Sequence, residues 1–178
     1  MKTLQINIIF FVLYLVSWLI EFFVLFKLQN YLLGTLSLYF PMLIFIPHGI
    51  RVIGLLVYGY KIFLGLFFAH VVTGYYFIDN IEEILLLSLA SIVSVYIGML
   101  IIYKKIQITP DQITLNTVLL LAIISSFLNS ASNLIMKGDS HINLYNFFAY
   151  GVGDIIGTLL IFMVLIKIIK ITNLKIAD

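Results

Sequence analysis

Hydrophobic residues in this chain are grouped into long runs separated by short polar segments. Six runs can be distinguished, over Leu4–Phe26, Tyr31–Tyr58, Ile62–Phe77, Glu82–Tyr103, Thr114–Met136 and Tyr145–Ile169. Most reach or approach the ~20 residues with which an α-helix crosses a hydrocarbon core about 30 Å thick. Backbone hydrogen bonds must close within each segment in lipid, so we expect helices. The pattern predicts an all-α, polytopic membrane protein with about six transmembrane helices, formed as a single domain over residues 1–178.

The second run is interrupted by residues that disfavour a continuous helix. Pro41, Pro47 and Gly49 all lie within it. Proline removes a backbone donor and clashes with the preceding turn, and glycine weakens the same turn. We therefore expect the second helix to be broken at Pro47 and Gly49. Broken helices at membrane depth commonly line a cavity or a binding site.

Composition supports the membrane assignment, and lysine placement suggests an orientation. The chain is 63% hydrophobic and 10% charged, with a mean hydropathy of +1.18. With six spans, only Lys27 and Lys137 fall on one side of the membrane. Seven lysines fall on the other side: Lys2, Lys61, Lys104, Lys105, Lys167, Lys170 and Lys175. This bias predicts that both termini are cytoplasmic. We expect a multi-pass protein of a bacterial inner membrane, with the lipid bilayer as its first partner.

Arg51 is the most informative residue because it places a full charge inside an apolar run. Such a charge costs from about 3 kcal/mol to over 10 at the bilayer centre unless it is partnered. Asp154 and Glu21 are the two acids that can reach membrane depth. Asp154 lies between Gly153 and Gly157, whose spacing lets another helix approach closely. We expect a structural ion pair between Arg51 and Asp154, with Glu21 as the alternative partner.

Further polar residues extend this candidate site. The fifth run places Ser126, Asn129, Ser130 and Asn133 on one helical stripe, and the two amides are better ligand candidates than the serines. The serines are expected to join helices through hydrogen bonds. The candidate ligand-binding residues are His48, Arg51, His70, Asn129, Asn133 and Asp154. A ligand with an anionic group would suit Arg51 and His48.

Several classes of function are disfavoured by what the chain contains. It has no cysteine, no metal-binding histidine spacing, no catalytic triad and no phosphate-binding or dinucleotide fingerprint. We therefore expect no enzyme, no metal, no cofactor and no nucleic-acid partner.

Two segments together resemble the bacterial MASE1 family of integral membrane sensor domains. One runs from Ile46-Pro47-His48-Gly49-Ile50-Arg51 to Gly59, followed by Gly65, Ala69 and His70; the other is Gly153-Asp154-Ile155-Ile156-Gly157. The resemblance covers about a third of the chain and implies a sensor of a small ligand. The chain departs from the family by having fewer spans and by carrying His48 and Arg51 where small or apolar residues are usual. These 178 residues include no output domain, so a sensor of this kind would signal through a separate subunit.

Two other functions remain open at this stage. The length and six-span plan are also similar to the substrate-binding subunits of vitamin importers of the energy-coupling-factor type, which would make the chain a transport component with its own partner subunit. Alternatively, the chain is a structural membrane subunit in which Arg51 and Asp154 only hold helices together.

Overall fold

The computed structural model describes residues 2–34, 43–105, 114–136 and 144–172, and these residues are helical apart from short connections. The helices are α1 (Thr3–Ile20), α2 (Phe26–Leu33), α3 (Ile46–Tyr58), α4 (Phe63–Gly74), α5 (Ile81–Lys105), α6 (Leu115–Met136) and α7 (Leu144–Thr172). A π-helical turn, Glu21–Leu25, joins α1 to α2, and a 3-10 turn, Gly59–Ile62, joins α3 to α4. No strand occurs within the described ranges. The all-α prediction is confirmed.

Five helical stretches are long and apolar enough to cross a membrane. They are Thr3–Leu33, Ile46–Gly74, Ile81–Lys104, Leu115–Ile135 and Phe147–Ile168. The bundle also has the composition of a membrane protein, because its surface carries many exposed large hydrophobic side chains. These features are those of a multi-pass membrane protein. The six separate spans predicted from the sequence are not confirmed, because α3 and α4, which lie in the second and third runs, fall within one such stretch, Ile46–Gly74.

That stretch turns back on itself in its middle. Beside α1, the backbone nitrogen of Ile46 donates to Glu21, whereas Gly54 packs against Phe10, so α3 runs opposite to α1. Gly59 ends α3 with a φ of 59°, in the left-handed region that favours glycine. The α4 helix then follows α1 in the same direction. Its Gly65 contacts Asn7, and the His70 ring lies 5.9 Å from that of Tyr14.

Asn7 holds this reversal against α1. Its side-chain amide donates to the Lys61 carbonyl at 2.6 Å, and its carbonyl oxygen accepts from the Gly65 backbone nitrogen, also at 2.6 Å. Both backbone groups belong to the turn and first residues of α4, where helical partners are missing. A Cβ at Gly65 would overlap the Asn7 backbone, so glycine is required for this close approach.

The structure does not confirm a helix broken at Pro47 and Gly49. Residues 43–45 are not helical, and α3 begins at Ile46 with Pro47 in its first turn. Proline is well tolerated there because first-turn amides have no partner within the helix. Gly49 lies inside the regular helix. The change from non-helical to helical backbone thus precedes Pro47, and Pro41 lies outside the described residues.

Candidate functional site

The site is built around the first turns of α3, which are held by two other helices. The Glu21 carboxylate accepts a hydrogen bond from the Ile46 backbone nitrogen at 3.1 Å. The Phe45 nitrogen donates to the Gly153 carbonyl of α7 at 2.9 Å. These bonds satisfy backbone donors that a helix start otherwise leaves unpaired, and a carboxylate also suits the positive end of a helix dipole. Glu21 is almost fully buried in this role, so it does not reach towards the membrane surface.

Two glycines allow α3 and α7 to touch. A Cβ on Gly49 would lie 2.6 Å from the Gly157 carbonyl oxygen, and a Cβ on Gly157 would overlap the Phe45 carbonyl. The two backbones therefore pack directly, as small residues permit in membrane bundles. This contact brings His48 on α3 next to Asp154 on α7.

His48 lies at the centre of the polar cluster and contacts side chains of its own helix, α3, and of α6 and α7. Its Nε2 is 3.0 Å from the Ser125 hydroxyl of α6. Its Nδ1 is 3.0 Å from Nη2 of Arg51 and 3.3 Å from Oδ2 of Asp154. One ring nitrogen is therefore shared by a cation and an acid. His48 itself is completely buried.

Arg51 is buried with most of its hydrogen-bonding capacity unused. Its exposed fraction is 0%, and its guanidinium carbon lies 5.8 Å from the centre of the Phe45 ring. Within the described residues, Nε and Nη1 have no hydrogen-bond partner, and no direct salt bridge joins Arg51 to Asp154 or to Glu21. The predicted ion pair between Arg51 and Asp154 is therefore not formed as a direct contact in the described residues; Nδ1 of His48 contacts both side chains instead.

Asp154 is also held in place by a residue of α6. Its Oδ2 accepts a hydrogen bond from Nδ2 of Asn129 at 2.9 Å. The Oδ1 atom of Asn129 is buried and has no partner in the described part of the chain. Asn133, one turn further along α6, donates its amide to the Asn129 backbone carbonyl. The α6–α7 contact is closed by Ser126, which donates to the Gly151 carbonyl at 2.7 Å, a helix-joining role of the kind expected for the serines.

A cavity of about 120 Å³ lies directly beside these groups. It is lined by Phe45, Arg51, His70, Leu87, Ser91, Asn129, Asn133, Tyr150 and Asp154. Three of these lining residues, from three helices, carry buried polar atoms that have no partner among the described residues: Nε and Nη1 of Arg51, the hydroxyl of Ser91 and Oδ1 of Asn129. Buried polar atoms are normally paired, so such a convergence marks a place where another molecule is expected.

Five of the six residues proposed from the sequence as ligand contacts line this one cavity. They are Arg51, His70, Asn129, Asn133 and Asp154. His48 does not line the cavity itself but contacts Arg51 and Asp154, which do. His70 is oriented by Ser88, whose hydroxyl is 2.9 Å from Nδ1. Among the described residues, no group of three or more histidine, aspartate or glutamate side chains is arranged to hold a metal.

Sequence reasoning missed four lining residues, of which Ser91 matters most. Ser88, Ser91 and Ser94 recur at three-residue intervals on α5 and are all buried. That spacing in an otherwise apolar span is a signal that could have found them. Phe45, Leu87 and Tyr150 carry no comparable signal, because apolar and aromatic residues occur throughout the chain.

No family model, curated protein or solved structure matches this chain. The resemblance to MASE1 domains therefore remains an expectation from the sequence, and the functional argument depends on the geometry of the site itself.

Proposed function

We propose that this chain is an integral membrane protein that binds a small oxyanion in the cavity beside Arg51. The single observation that carries the proposal is the fully buried guanidinium of this cavity-lining residue, whose Nε and Nη1 have no partner among the described residues. Guanidinium N–H groups form strong, charge-assisted hydrogen bonds to the oxygens of a carboxylate or phosphate. An oxyanion is therefore the ligand class that would satisfy Arg51 most completely.

The other walls suit the same ligand. The Ser91 hydroxyl can donate to an oxygen atom, and Oδ1 of Asn129 can accept from a hydroxyl group of the ligand. Phe45 and Leu87 supply apolar surface. A cavity of 150 Å³ holds benzene, so 120 Å³ accommodates a ligand of about five non-hydrogen atoms. Acetate and inorganic phosphate are within this size.

Sensing is the purpose that we assign to this binding, on the resemblance of the α3 and α7 segments to MASE1 domains. The signal would pass to a separate subunit. Transport is the rival purpose. Sensing and transport differ in the number of ligand molecules that each protein molecule retains or moves. In sealed vesicles containing the protein, a receptor retains at most one labelled phosphate per site, whereas a carrier moves many phosphates down a gradient.

The same proposal includes six crossings of a bacterial inner membrane, with both termini cytoplasmic. At one end the Leu43 nitrogen donates to Gln29, and at the other the Lys61 carbonyl accepts from Asn7. These anchors are about 33 Å apart along the first helix at 1.5 Å per residue. Helix α3 has 13 residues, or about 20 Å, and the non-helical residues before it supply the remaining length. The lysine bias supports this orientation.

Binding of acetate and of phosphate to the purified protein in detergent tests the proposal. We expect one of them to raise the unfolding temperature in a concentration-dependent way, since a ligand that binds only the native state stabilises it. Comparing the two anions tells a carboxylate site from a phosphate site. No stabilisation by either anion would overturn the proposal.

Two serines of α5 provide a matched pair for this experiment. Ser91 and Ser94 are both buried, but the Ser94 hydroxyl donates to the Ala90 carbonyl and does not line the cavity. Ser91→Ala is expected to weaken anion binding by about 10- to 150-fold, the value of one hydrogen bond to a charged group. Ser94→Ala is expected to leave the affinity unchanged. Equal effects of the two substitutions would count against the cavity as the binding site.

The rival structural role predicts a different outcome for a double variant. Replacing Arg51 and Asp154 together by leucine removes both buried charges, which is often neutral or stabilising. We expect this variant to fold and to lose anion binding. A folded double variant that binds the anion as the wild type does would show that the two charges only hold helices together.

A further inference from the structure

We infer that the cavity binds its anion together with one proton, which is taken up by the pair formed by His48 and Asp154. This inference rests on the proposed oxyanion binding and specifies how the site keeps its charge balanced. It starts from the unusual position of His48 Nδ1, which lies 3.0 Å from a guanidinium donor and 3.3 Å from a carboxyl oxygen.

The partner of Nδ1 indicates which nitrogen of a neutral ring carries hydrogen. A guanidinium can only donate, so Nδ1 accepts from Arg51 and the hydrogen is assigned to Nε2. Nε2 then donates to the Ser125 hydroxyl from 3.0 Å, and that hydroxyl can donate to the Ala122 carbonyl, 3.3 Å away. A neutral imidazole with hydrogen on Nε2 presents a lone pair at Nδ1, which accepts the bond from Arg51. The same lone pair faces Oδ2 of Asp154, and no hydrogen lies between them when Asp154 is ionised.

Nδ1 can therefore serve only one of its two neighbours at a time. When Arg51 donates to it, the Asp154 contact is unsatisfied. When Nδ1 carries a hydrogen and donates to Asp154, Arg51 needs another acceptor. An oxyanion in the cavity that Arg51 lines would be that acceptor, because it would take hydrogen bonds from the guanidinium in place of Nδ1. Ligand binding and protonation of Nδ1 thus favour each other.

Charge balance gives the same stoichiometry. The titratable and charged groups on the elements packed around His48 and the cavity are Tyr14, Glu21, Arg51, His70, Tyr150 and Asp154, while α5 and α6 contribute hydroxyls and amides. Glu21 does not line the cavity and accepts from the Ile46 nitrogen at the start of α3. Among the groups that line the cavity, ionised Arg51 and Asp154 cancel beside a neutral His48. A monovalent anion would leave one uncompensated buried negative charge, which is strongly unfavourable. One proton from solvent, forming an N–H bond at Nδ1, restores neutrality.

Calorimetric titration of the purified protein with acetate, in buffers of different ionisation enthalpy, counts the protons taken up. Between pH 6 and 8 acetate stays ionised, so any proton taken up on binding is bound by the protein and not by the ligand. We expect about one proton to be taken up per acetate bound. At pH values where His48 is neutral in the ligand-free protein, the affinity for acetate should therefore rise about tenfold for each unit by which the pH falls. If only phosphate binds, the same titration is made with phosphate after subtracting its own ionisation.

Two variants locate the proton. His48→Gln keeps a polar side chain but cannot titrate, so we expect a proton count near zero. His70→Gln removes a histidine that lines the same cavity without contacting Asp154, and we expect it to retain a count of about one. A count of one in His48→Gln, or a count of zero in His70→Gln, would overturn the assignment to His48.

The wild-type protein gives an independent measurement if His48→Gln does not fold. Nitrogen-15 NMR of labelled histidine should show Nε2–H imidazole at His48 without acetate and imidazolium with it. Acetate binding with no proton uptake by the wild type would overturn this inference and leave the oxyanion site intact. Failure of both acetate and phosphate to bind would overturn the proposed function and this inference with it.

Discussion

Gly157→Ala is predicted to separate α3 from α7 and so to disturb the whole polar cluster. A Cβ at this position would overlap the Phe45 carbonyl group and lie 2.9 Å from the Ile46 nitrogen. Both obstacles are backbone atoms, which cannot move aside as a flexible side chain can. The α3 helix would have to shift as a unit, carrying His48 and Arg51 with it.

The expected cost follows from three contributions. Overpacking of a well-packed contact costs about 1–3 kcal/mol. Loss of the bond from the Phe45 nitrogen to the Gly153 carbonyl adds about 1 kcal/mol. Replacing glycine by alanine inside a helix returns about 1 kcal/mol. We therefore expect the free energy of unfolding to fall by about 1–3 kcal/mol.

Gly151 provides the matched control on the same helix. A Cβ there would meet only the Ser126 and Ser130 hydroxyls, at 3.4 and 3.8 Å, which is ordinary contact. Gly151→Ala should therefore be neutral or slightly stabilising. Reversible unfolding in mixed detergent micelles, followed by circular dichroism, measures both variants. Equal stability of the two variants would refute the close backbone packing of α3 on α7.

Substitutions at two further positions test how the ends of α3 are held. Asn7→Leu should destabilise the protein by about 2–3 kcal/mol, because it leaves the Lys61 carbonyl and the Gly65 nitrogen without partners; a thermal melt unchanged from that of the wild type would contradict this role. Glu21→Gln should be nearly neutral, since its amide oxygen can still accept from Ile46, whereas Glu21→Leu should cost about 1–3 kcal/mol. Equal melting temperatures of the two Glu21 variants would show that this hydrogen bond does not stabilise the α3 start.

The sequence identified the cavity through residues whose presence in lipid is costly. Arg51 and Asp154 are conspicuous because charges are rare in apolar runs, and Asn129 and Asn133 because their spacing places them on one face of a helix. Such signals are local, and they are visible without knowing how helices pack. These signals were sufficient to predict which segments contribute polar side chains to the interior of the bundle.

The same reasoning could not predict which groups meet. His48 contacts Ser125, 77 residues away, and Glu21 contacts Ile46, 25 residues away. Neither pairing leaves a mark in local periodicity, because each depends on how α3 lies against its neighbours. The expected break at Pro47 is not confirmed for a related reason, since proline either starts or interrupts a helix and only the surrounding packing decides which.

The most direct test of the oxyanion site is an experimental structure of the purified protein at a resolution that shows ordered water, without added ligand. We predict a planar or tetrahedral oxyanion in the 120 Å³ cavity, with an oxygen atom within hydrogen-bonding distance of Nε or Nη1 of Arg51. A cavity that contains only water bridging Arg51 to Asp154, or a direct salt bridge between these two side chains, would contradict the account.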